Sequence, residues 1–310
     1  MMNKKIQIYS RYTGKIEDES VCGEWFMRFA YGLWPGRFLQ NFLGCRPFFS
    51  RLGGLYANCS WSRKKILPFI ERHRIDMEEC LLPMSAFANF NEFFSRQLHP
   101  NARPIDRNRD AIVAPVDGRY TYIANLGKNA IFPVKGQEFS LGNFLRNREL
   151  AKKFFGGSAI IARLCPHDYH RFHFPCDGVP GNVCHICGKL HSVHPIALEK
   201  RRVFCENKRT ITRIISAWRE IIMVEVGATF VGSIKQTFIP HRHCKKGSEK
   251  GFFSLGGSSV VLLFEPQRII PSRDMEKMSA IGRECFIRMG DRIATFRTTR
   301  LAEKNGALVQ

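Results

Sequence analysis

The chain has 310 residues, which is enough for one large domain with an appendage and for a substantial hydrophobic core. Its 48 lysines and arginines outnumber its 27 aspartates and glutamates, so the formal net charge is +21 and an anionic partner is expected. The basic residues are spread along the chain in twos and threes, a pattern that favours an acidic membrane surface and argues against nucleic acid.

The eleven cysteines are odd in number and follow no disulfide framework, and no apolar signal core follows Met1–Lys5. We therefore expect free thiols in a reducing, cytoplasmic environment. The longest purely apolar runs have about five residues, well short of the roughly 20 that span a bilayer. The sequence predicts a chain that does not cross a membrane.

Between residues 24 and 51, apolar side chains recur at helical spacing with arginines between them, and Pro35 and Gly36 break the run. Such segments are typical of helices that lie on an anionic bilayer. Apolar stripes also pack on a protein's own core or on a dimer partner, so both interpretations stay open. The apolar positions are Phe26, Phe29, Ala30, Leu33, Phe38, Leu39, Phe42 and Leu43, followed by Phe48 and Phe49.

Helical patterns extend to about residue 75, and Ser62 is a candidate N-cap for a helix that ends at His73. Further helices are expected after Ser85 and over residues 140–154. Beyond residue 110, short strands separated by Gly, Pro and Asn turns dominate. The predicted strands are 111–116, 119–125, 159–164, 202–205, 210–218, 221–226, 260–264 and 291–296.

These elements predict an α+β fold, with a helical N-terminal region followed by a mostly antiparallel β catalytic core. We expect residues 1–75 to be a helical, membrane-associating region and residues 76–310 to be the catalytic domain.

The run Gly256-Gly257-Ser258-Ser259 stands directly before the apolar stretch 260–264. Glycine tolerates the positive φ and tight turns that expose a peptide carbonyl, so the Ser258 hydroxyl could attack the carbonyl carbon of Gly257. An N-to-O acyl shift, elimination and hydrolysis would then leave a pyruvoyl group at residue 258. Taken alone, this pattern is more often a plain turn before a strand.

Further motifs precede this run, and they are Phe93-Phe94-Ser95-Arg96-Gln97-Leu98, Ala102-Arg103-Pro104-Ile105-Asp106, Pro115-Val116-Asp117-Gly118, Asp168-Tyr169-His170-Arg171-Phe172-His173-Phe174-Pro175, Glu206-Asn207-Lys208-Arg209 and Val224-Glu225-Val226-Gly227-Ala228-Thr229. Together and in this order they closely resemble the phosphatidylserine decarboxylases of the membrane-associated prokaryotic type. The resemblance covers nearly the whole chain, from Ile8 to Ile293. One departure is Ser259, which stands where the family's cleavage motif usually has threonine and keeps the hydroxyl.

The resemblance implies a carboxy-lyase that is made as a zymogen. Self-cleavage between Gly257 and Ser258 would give a β chain (1–257) and an α chain (258–310), with a covalent pyruvoyl cofactor at residue 258. The ketone of that group condenses with the amine of phosphatidylserine and accepts the electrons released as CO2 leaves. The product is phosphatidylethanolamine, and no metal is required.

The resemblance also assigns roles to particular side chains. Asp117, His173 and Ser258 correspond to the cleavage residues, in which imidazole takes the hydroxyl proton and the carboxylate fixes the imidazole tautomer. His170 corresponds to a residue of the decarboxylation step. Because His170 and His173 are three residues apart, their rings would lie on opposite faces of an extended strand.

The expected partners are phosphatidylserine and an anionic membrane surface, to which the enzyme would bind peripherally at the cytoplasmic face of the cell membrane. A homodimer is a further expected assembly, and nucleic acid is not expected. Two other functions stay open. A pyruvoyl-dependent decarboxylase of a soluble amino acid would not explain the aromatic and basic N-terminal stretch, and a non-enzymatic basic membrane-surface protein would leave the chain intact.

Cys184, Cys187, His191 and His194 form a cluster whose residue types suit zinc. The two pairs are close together for a zinc finger. In the family that the chain resembles, the position of His194 is usually asparagine. We therefore expect a hairpin with free thiols and no metal site.

Overall fold

The computed structural model describes residues 6–19, 47–127, 140–193, 203–228, 233–256 and 258–297. These residues form an α+β fold with mostly antiparallel sheets, which confirms the predicted fold class. Its helices are α1 (Pro47–Asn58), α2 (Ile66–His73), α3 (Phe90–Phe94), α4 (Leu141–Leu145), α5 (Arg148–Lys152), α6 (Val203–Glu206) and α7 (Arg273–Ala280). Its strands are β1 (Gln7–Ser10), β2 (Lys15–Asp18), β3 (Ala111–Val113), β4 (Gly118–Ile123), β5 (Ser158–Leu164), β6 (Arg171–His173), β7 (Val179–Pro180), β8 (Cys184–Ile186), β9 (Arg209–Ile215), β10 (Glu220–Gly227), β11 (Ile234–Gln236), β12 (Glu249–Phe253), β13 (Ser258–Phe264), β14 (Ile269–Pro271), β15 (Glu284–Ile287) and β16 (Arg292–Phe296).

In the described part of the chain, ten strands form one large sheet. Its order is β2-β1-β15-β4-β5-β13-β10-β9-β7. The tenth strand, β8, also pairs with β9 and stands outside this linear order. Strand β13 lies in the middle and pairs antiparallel with both β5 and β10. Two three-stranded sheets, β11-β12-β6 and β14-β16-β3, accompany the large sheet.

The large sheet is covered on both faces, and this explains the uninterrupted apolar run of β13. On one face, Val260 and Leu262 belong to a hydrophobic cluster with side chains of the two small sheets. On the other face, Val261 and Leu263 pack in a cluster with the short helices α4, α5 and α6. Every residue of β13 is buried, so the strand fixes its first residue, Ser258, in the core.

The first described residues are strands. β1 and β2 form a hairpin, and β1 joins the large sheet by pairing parallel with β15. The expectation of helix up to about residue 75 is therefore wrong for residues 7–18. The reason is long-range pairing, since the partner strand lies near the other end of the chain and a local pattern cannot reveal it. Of the predicted amphipathic stretch (24–51), residues 24–46 lie outside the described residues.

Ser62 does not cap a helix. It lies in a 3-10 helix (Ser60–Lys65), and α2 begins only at Ile66. The Ser62 hydroxyl is hydrogen-bonded to the carbonyl of Ala57 at 2.8 Å and accepts the Phe90 N–H at 2.9 Å. Ser62 therefore ties α1 to α3, which carries part of the site.

Two other local predictions are wrong in detail. The predicted strand 202–205 is the short helix α6, because Val203 and Phe204 are buried in the cluster formed with α4, and tertiary packing outweighs their strand propensity. The predicted helix over 140–154 is divided into α4 and α5. The break is at Arg146, whose φ of 51° is left-handed.

Candidate active site

Ser258 is the first residue of β13, and it is fully buried. It pairs with Leu164 of β5 and with Gly227 of β10, so the sheet holds it from both sides. Gly256, two residues earlier, has a φ of 137°, which glycine adopts readily and other residues rarely do. The turn that the sequence predicted before this strand is therefore present at Gly256, whereas Gly257 lies outside the described residues.

The Ser258 hydroxyl faces the ring of His170. Its Oγ lies 3.4 Å from Nδ1 of His170. The other ring nitrogen, Nε2, lies 3.0 Å from the carbonyl oxygen of Cys165. Because a carbonyl oxygen can only accept, Nε2 carries the proton and Nδ1 offers its lone pair to the Ser258 hydroxyl.

The surroundings keep His170 neutral. The ring is fully buried, and the ring of Phe94 stacks on it with centroids 3.9 Å apart. Burial lowers the pKa of His170 to about 3, although the nearby Asp168 carboxylate acts in the opposite direction. His170 is thus a weak base with a fixed tautomer, enclosed by apolar side chains.

A short turn fixes this tautomer. The Cys165 carbonyl that accepts the His170 proton also accepts the Asp168 N–H at 3.0 Å. The Asp168 carboxylate accepts from the Cys165 N–H and from Arg119. Nε of Arg119 lies 2.6 Å from Oε1 of Glu19. A continuous set of polar contacts therefore connects Glu19, which follows β2, with His170.

Asp117 is close to the site but has its own partners. Its Oδ2 accepts from Nη2 of Arg103 at 2.7 Å, and its Oδ1 accepts the Met289 N–H at 2.7 Å. Among the described residues, no hydrogen bond joins Asp117 to His173. The carboxylate is therefore held by a guanidinium and a backbone amide.

His173 also points to other groups. Its Nδ1 donates to the Gly247 carbonyl at 3.0 Å, which leaves Nε2 to accept from the Tyr169 hydroxyl at 3.3 Å. Burial lowers the pKa of His173, while the Gly247 carbonyl and the Asp117 charge act in the opposite direction. Within the described part of the chain, no hydrogen bond joins His173 to Ser258. Of the four predicted side chains, the structure brings Ser258 and His170 together.

The sequence motifs indicate no specific role for several residues that build this geometry. Phe94 and Asp168 lie inside two of the family motifs, and membership in those motifs is what indicates that they belong to the site. The contact between Arg119 and Glu19 joins distant parts of the chain, and no local pattern indicates it.

A buried ion pair joins β12 to β10, the strand that pairs with the strand of Ser258. Nζ of Lys250 lies 2.9 Å from Oε1 of Glu225, and neither side chain is exposed. Glu225 pairs with Val260, two residues after Ser258. Lys250 also donates to Oε1 of Gln236 at 2.7 Å. This network ties the small sheet that contains β12 to the large sheet.

The residues considered for zinc do not form a metal site in the part of the chain that the structure describes, where no group of three or more His, Cys, Asp or Glu side chains is placed to hold a metal. His194 lies outside that part. Cys184 and Cys187 are exposed free thiols, and Nε2 of His191 lies 3.2 Å from Oε2 of Glu206.

An apolar groove of about 340 Å³ opens beside the segment that precedes Ser258. Leu255 lines this groove, and its N–H donates to Oδ1 of Asn91 in α3 at 2.9 Å. The groove therefore connects the helical region with the candidate cleavage segment. Its other lining residues are Tyr56, Ala57, Ser62, Lys65, Pro68, Phe69, Arg72 and Phe90.

Comparison with known proteins gives consistent matches. The sequence model of the family described as phosphatidylserine decarboxylase matches residues 90–295. The phosphatidylserine decarboxylase proenzyme of Chlamydia muridarum (strain MoPn / Nigg) is 44% identical over 292 residues, covering 94% of this chain and 97% of the relative. The proenzyme of Chlamydia pneumoniae is 44% identical over 289 residues, covering 93% and 96%. The proenzyme of Chlamydia felis (strain Fe/C-56) is 42% identical over 289 residues, covering 93% and 97%.

Proposed function

Because this chain belongs to the phosphatidylserine decarboxylase family, we propose that it decarboxylates phosphatidylserine with a pyruvoyl group made from its own Ser258. Family membership confirms the resemblance inferred from the sequence, makes the protein a carboxy-lyase and excludes a non-enzymatic role. The observation that carries the proposal is the Ser258 hydroxyl, buried at the start of a core strand and facing the lone pair of His170.

The proposed self-cleavage conserves atoms at each step. Ser258 Oγ attacks the carbonyl carbon of Gly257, the proton of the hydroxyl passes to the Ser258 nitrogen, and an ester replaces the peptide bond. Elimination frees the Gly257 carboxylate and leaves dehydroalanine at residue 258. Water then releases ammonia and leaves the pyruvoyl group. The φ of Gly256 supports the tight turn that this attack needs, and the name proenzyme, which the relatives carry, supports processing.

The two products, the β chain (1–257) and the α chain (258–310), should stay together. Strand β13 would belong to the α chain, and its neighbours β5 and β10 to the β chain. The ladder hydrogen bonds and the buried apolar area of β13 do not depend on the single peptide bond that is cut.

When formed, the pyruvoyl group supplies the electron sink for decarboxylation. His170 serves this step in the proposal, because its Nδ1 faces the atoms of residue 258 and is unprotonated. Its lone pair can accept a hydrogen bond from the substrate amine and so orient that amine toward residue 258. The bond from Nε2 to Cys165 holds the ring in place, and Phe94 excludes water from one face.

His173 is the base for cleavage in this proposal, and Asp117 orients it. This assignment rests on the resemblance and needs the His173 ring to leave its Tyr169 contact. It is supported by the low pKa of His170, because a base with a pKa of about 3 removes a hydroxyl proton poorly. The direct contact of His170 with Ser258 favours the opposite assignment, in which His170 is the cleavage base. Variants of the two histidines distinguish the two assignments.

We place the enzyme peripherally on an anionic membrane at its cytoplasmic face. Trp61 is 76% exposed, and Leu55 and Tyr56 are more than half exposed. Exposed Arg63 and Lys64 follow Trp61 in the chain, and large apolar side chains near cations suit a lipid interface. In the part of the chain that is described, no helix is long and apolar enough to span a bilayer. A homodimer stays a prediction.

The apolar groove beside Leu255 favours a lipid substrate over a soluble amino acid. The purified enzyme should therefore release CO2 from phosphatidylserine in mixed micelles and not from free serine, while Ser258→Ala should release none. Release from free serine at a comparable kcat/KM would support the soluble-substrate alternative.

A further inference from the structure

Arg96 is a buried cation for which the chemistry above has no use. The residue is 5% exposed. Its Nη2 donates to the carbonyl oxygens of His167 at 3.1 Å and of Asp168 at 3.4 Å. Among the described residues, its buried Nε and Nη1 have no hydrogen-bond partner of standard geometry, and the Cys80 thiol, which interacts with the guanidinium, is only a weak acceptor. Part of a donor fork that matches planar and tetrahedral oxyanions is therefore unsatisfied.

No carboxylate neutralises this guanidinium among the residues that the structure describes. Asp117 and Asp168, whose charges act on Arg96, are paired with Arg103 and Arg119. Burial lowers the pKa of Arg96. Its planar guanidinium lies 5.0 Å from the centre of the Phe93 ring, which is a contact with an uncharged group. A desolvated charge without a counter-ion destabilises the folded chain, so its presence points to a ligand that supplies the missing anion.

Arg96 is connected to the candidate active site from two sides. The carbonyls that it binds belong to the turn that leads to His170, and Phe94, two residues earlier, stacks on the His170 ring. The same segment of chain holds the cleavage segment, since Oδ1 of Asn91 accepts the Leu255 N–H. An anion at Arg96 would therefore lie next to the reacting groups.

We propose that Arg96 binds the phosphodiester of the lipid headgroup once Ser258 has been converted, an inference that rests on the function proposed above. In phosphatidylserine only the β-carbon and its oxygen separate the α-carbon from the phosphorus. A substrate whose α-carbon reacts at residue 258 thus brings its phosphate to the neighbourhood of His170. The free edge of the guanidinium then donates to the phosphate oxygens.

The serine carboxylate is the other anion of the substrate, and Arg96 is unsuited to it. This carboxylate becomes neutral CO2, so a cation bound to it would stabilise the substrate more than the transition state and would slow the reaction. The phosphodiester keeps its charge throughout. Binding it anchors substrate and product alike, so losing Arg96 should raise KM more than it lowers kcat.

In the uncleaved chain the free edge of Arg96 is enclosed, so the phosphate site is closed before processing. Cleavage gives the segment that Asn91 holds a free end. We expect this end to move and to admit the headgroup. The uncleaved Ser258→Ala chain should therefore not bind the phosphodiester that the processed enzyme binds.

The test uses the processed full-length enzyme and glycerophosphoethanolamine, a soluble probe that has the phosphodiester and no carboxylate. It should inhibit CO2 release from phosphatidylserine competitively in the wild type. In Arg96→Gln, KM and the inhibition constant should rise together by about 10- to 100-fold, the range expected for charged hydrogen bonds. Arg96→Lys keeps the charge but loses the planar fork, so its KM and inhibition constant should lie between those of the wild type and of Arg96→Gln. If Arg96→Gln does not fold, Arg96→Lys is the variant that tests the proposal. Inorganic phosphate, as a second probe, should protect the wild type against thermal unfolding more than either variant.

Arg209→Gln is the matched control. Arg209 is also a buried arginine, but its nitrogens donate to backbone carbonyls, so its loss should lower Tm and leave the inhibition constant unchanged. If the Arg96 variants raise KM but not the inhibition constant, the bound anion is the carboxylate and the proposal is overturned. Loss of Tm and kcat with unchanged KM and inhibition constant would make Arg96 structural and also overturn it. A wild-type chain without cleavage or a pyruvoyl group would instead contradict the proposed function. The mass of the wild type is therefore measured before the inhibition experiment.

Discussion

Ser258 and His170 are in contact although 88 residues separate them, with Oγ 3.4 Å from Nδ1. The contact exists because β13 lies beside β5, and the turn that follows β5 carries His170 back to the first residue of β13. Both are fully buried, so a proton exchanged between them is shielded from bulk water.

Variants of the two histidines should separate cleavage from decarboxylation. His170→Ala should still give two chains but should release little CO2, because the group that faces the reacting atoms is lost. His173→Ala and Asp117→Asn should block or slow cleavage. Gel mobility measures the first step and CO2 release the second. If His170→Ala stays uncleaved while His173→Ala is processed normally, the 3.4 Å contact marks the cleavage base and the two roles are exchanged.

Glu19→Gln should lower the free energy of unfolding at pH 7 by about 3 kcal/mol. Burial alone would raise the pKa of Glu19, but the guanidinium groups of Arg163 and Arg119 lower it to about 2. Because the folded chain binds this proton less tightly than the unfolded chain, the stabilisation is complete above the ordinary value of 4.5 and is lost as the pH falls toward 2. Thermal melts of the wild type should therefore show a loss of Tm over this range, and Glu19→Gln should show a smaller one.

Glu149→Gln provides the control for that experiment, because Glu149 and its partner Lys152 are both exposed. Its stability and its pH profile should match those of the wild type. If Glu19→Gln melts like the wild type at every pH, the contacts from Glu19 to Arg119 and Arg163 do not stabilise the fold.

Lys250→Met should lower the free energy of unfolding by about 3–5 kcal/mol, because it leaves the Glu225 carboxylate buried without its cation. Adding Glu225→Gln should recover much of this loss, since it removes the unpaired charge. Urea unfolding of the wild type, both single variants and the double variant measures the coupling. Additive losses would show that the pair is not an energetic unit.

The membrane prediction concerns the salt-resistant part of binding. Affinity for liposomes should rise with phosphatidylserine content and fall only partly in high salt, because the Debye length shrinks from about 10 Å at 0.1 M to about 3 Å at 1 M while apolar insertion is unaffected. Replacing Phe38, Phe42 and Phe48 by serine should remove the resistant part and leave cleavage intact. These side chains lie outside those described, so Trp61→Ser, at an exposed position, is the companion variant. A triple variant that binds like the wild type but loses solubility or processing would place those aromatics in the core.

Local patterns predicted the strands that are buried on both faces, and β13 is the clearest case, because a short continuous apolar run bounded by turn residues is typical of a fully buried strand. They failed for β1 and β2, which have mixed polarity and depend on pairing with β15. They also failed at α6, where packing decided against propensity.

The sequence predicted which residues belong to the site better than it predicted which of them are in contact. The motifs contained Ser258, His170 and Phe94, but they could not show that Ser258 meets His170 and that His173 is held by Gly247. The spacing argument did predict different surroundings for the two rings. Contacts of this kind depend on where the turn after β5 ends. The spacing of apolar and polar residues, which indicates helices and strands, does not specify that position.

Intact-mass analysis of the purified chain decides whether Ser258 becomes the pyruvoyl group. We expect two chains, residues 1–257 and residues 258–310, with the shorter one lighter by one ammonia than a peptide that begins with serine. We also expect a single full-length species for Ser258→Ala. An uncleaved wild-type chain with full decarboxylase activity, or a short chain that begins with an unmodified Ser258 in the active enzyme, would contradict the proposed mechanism.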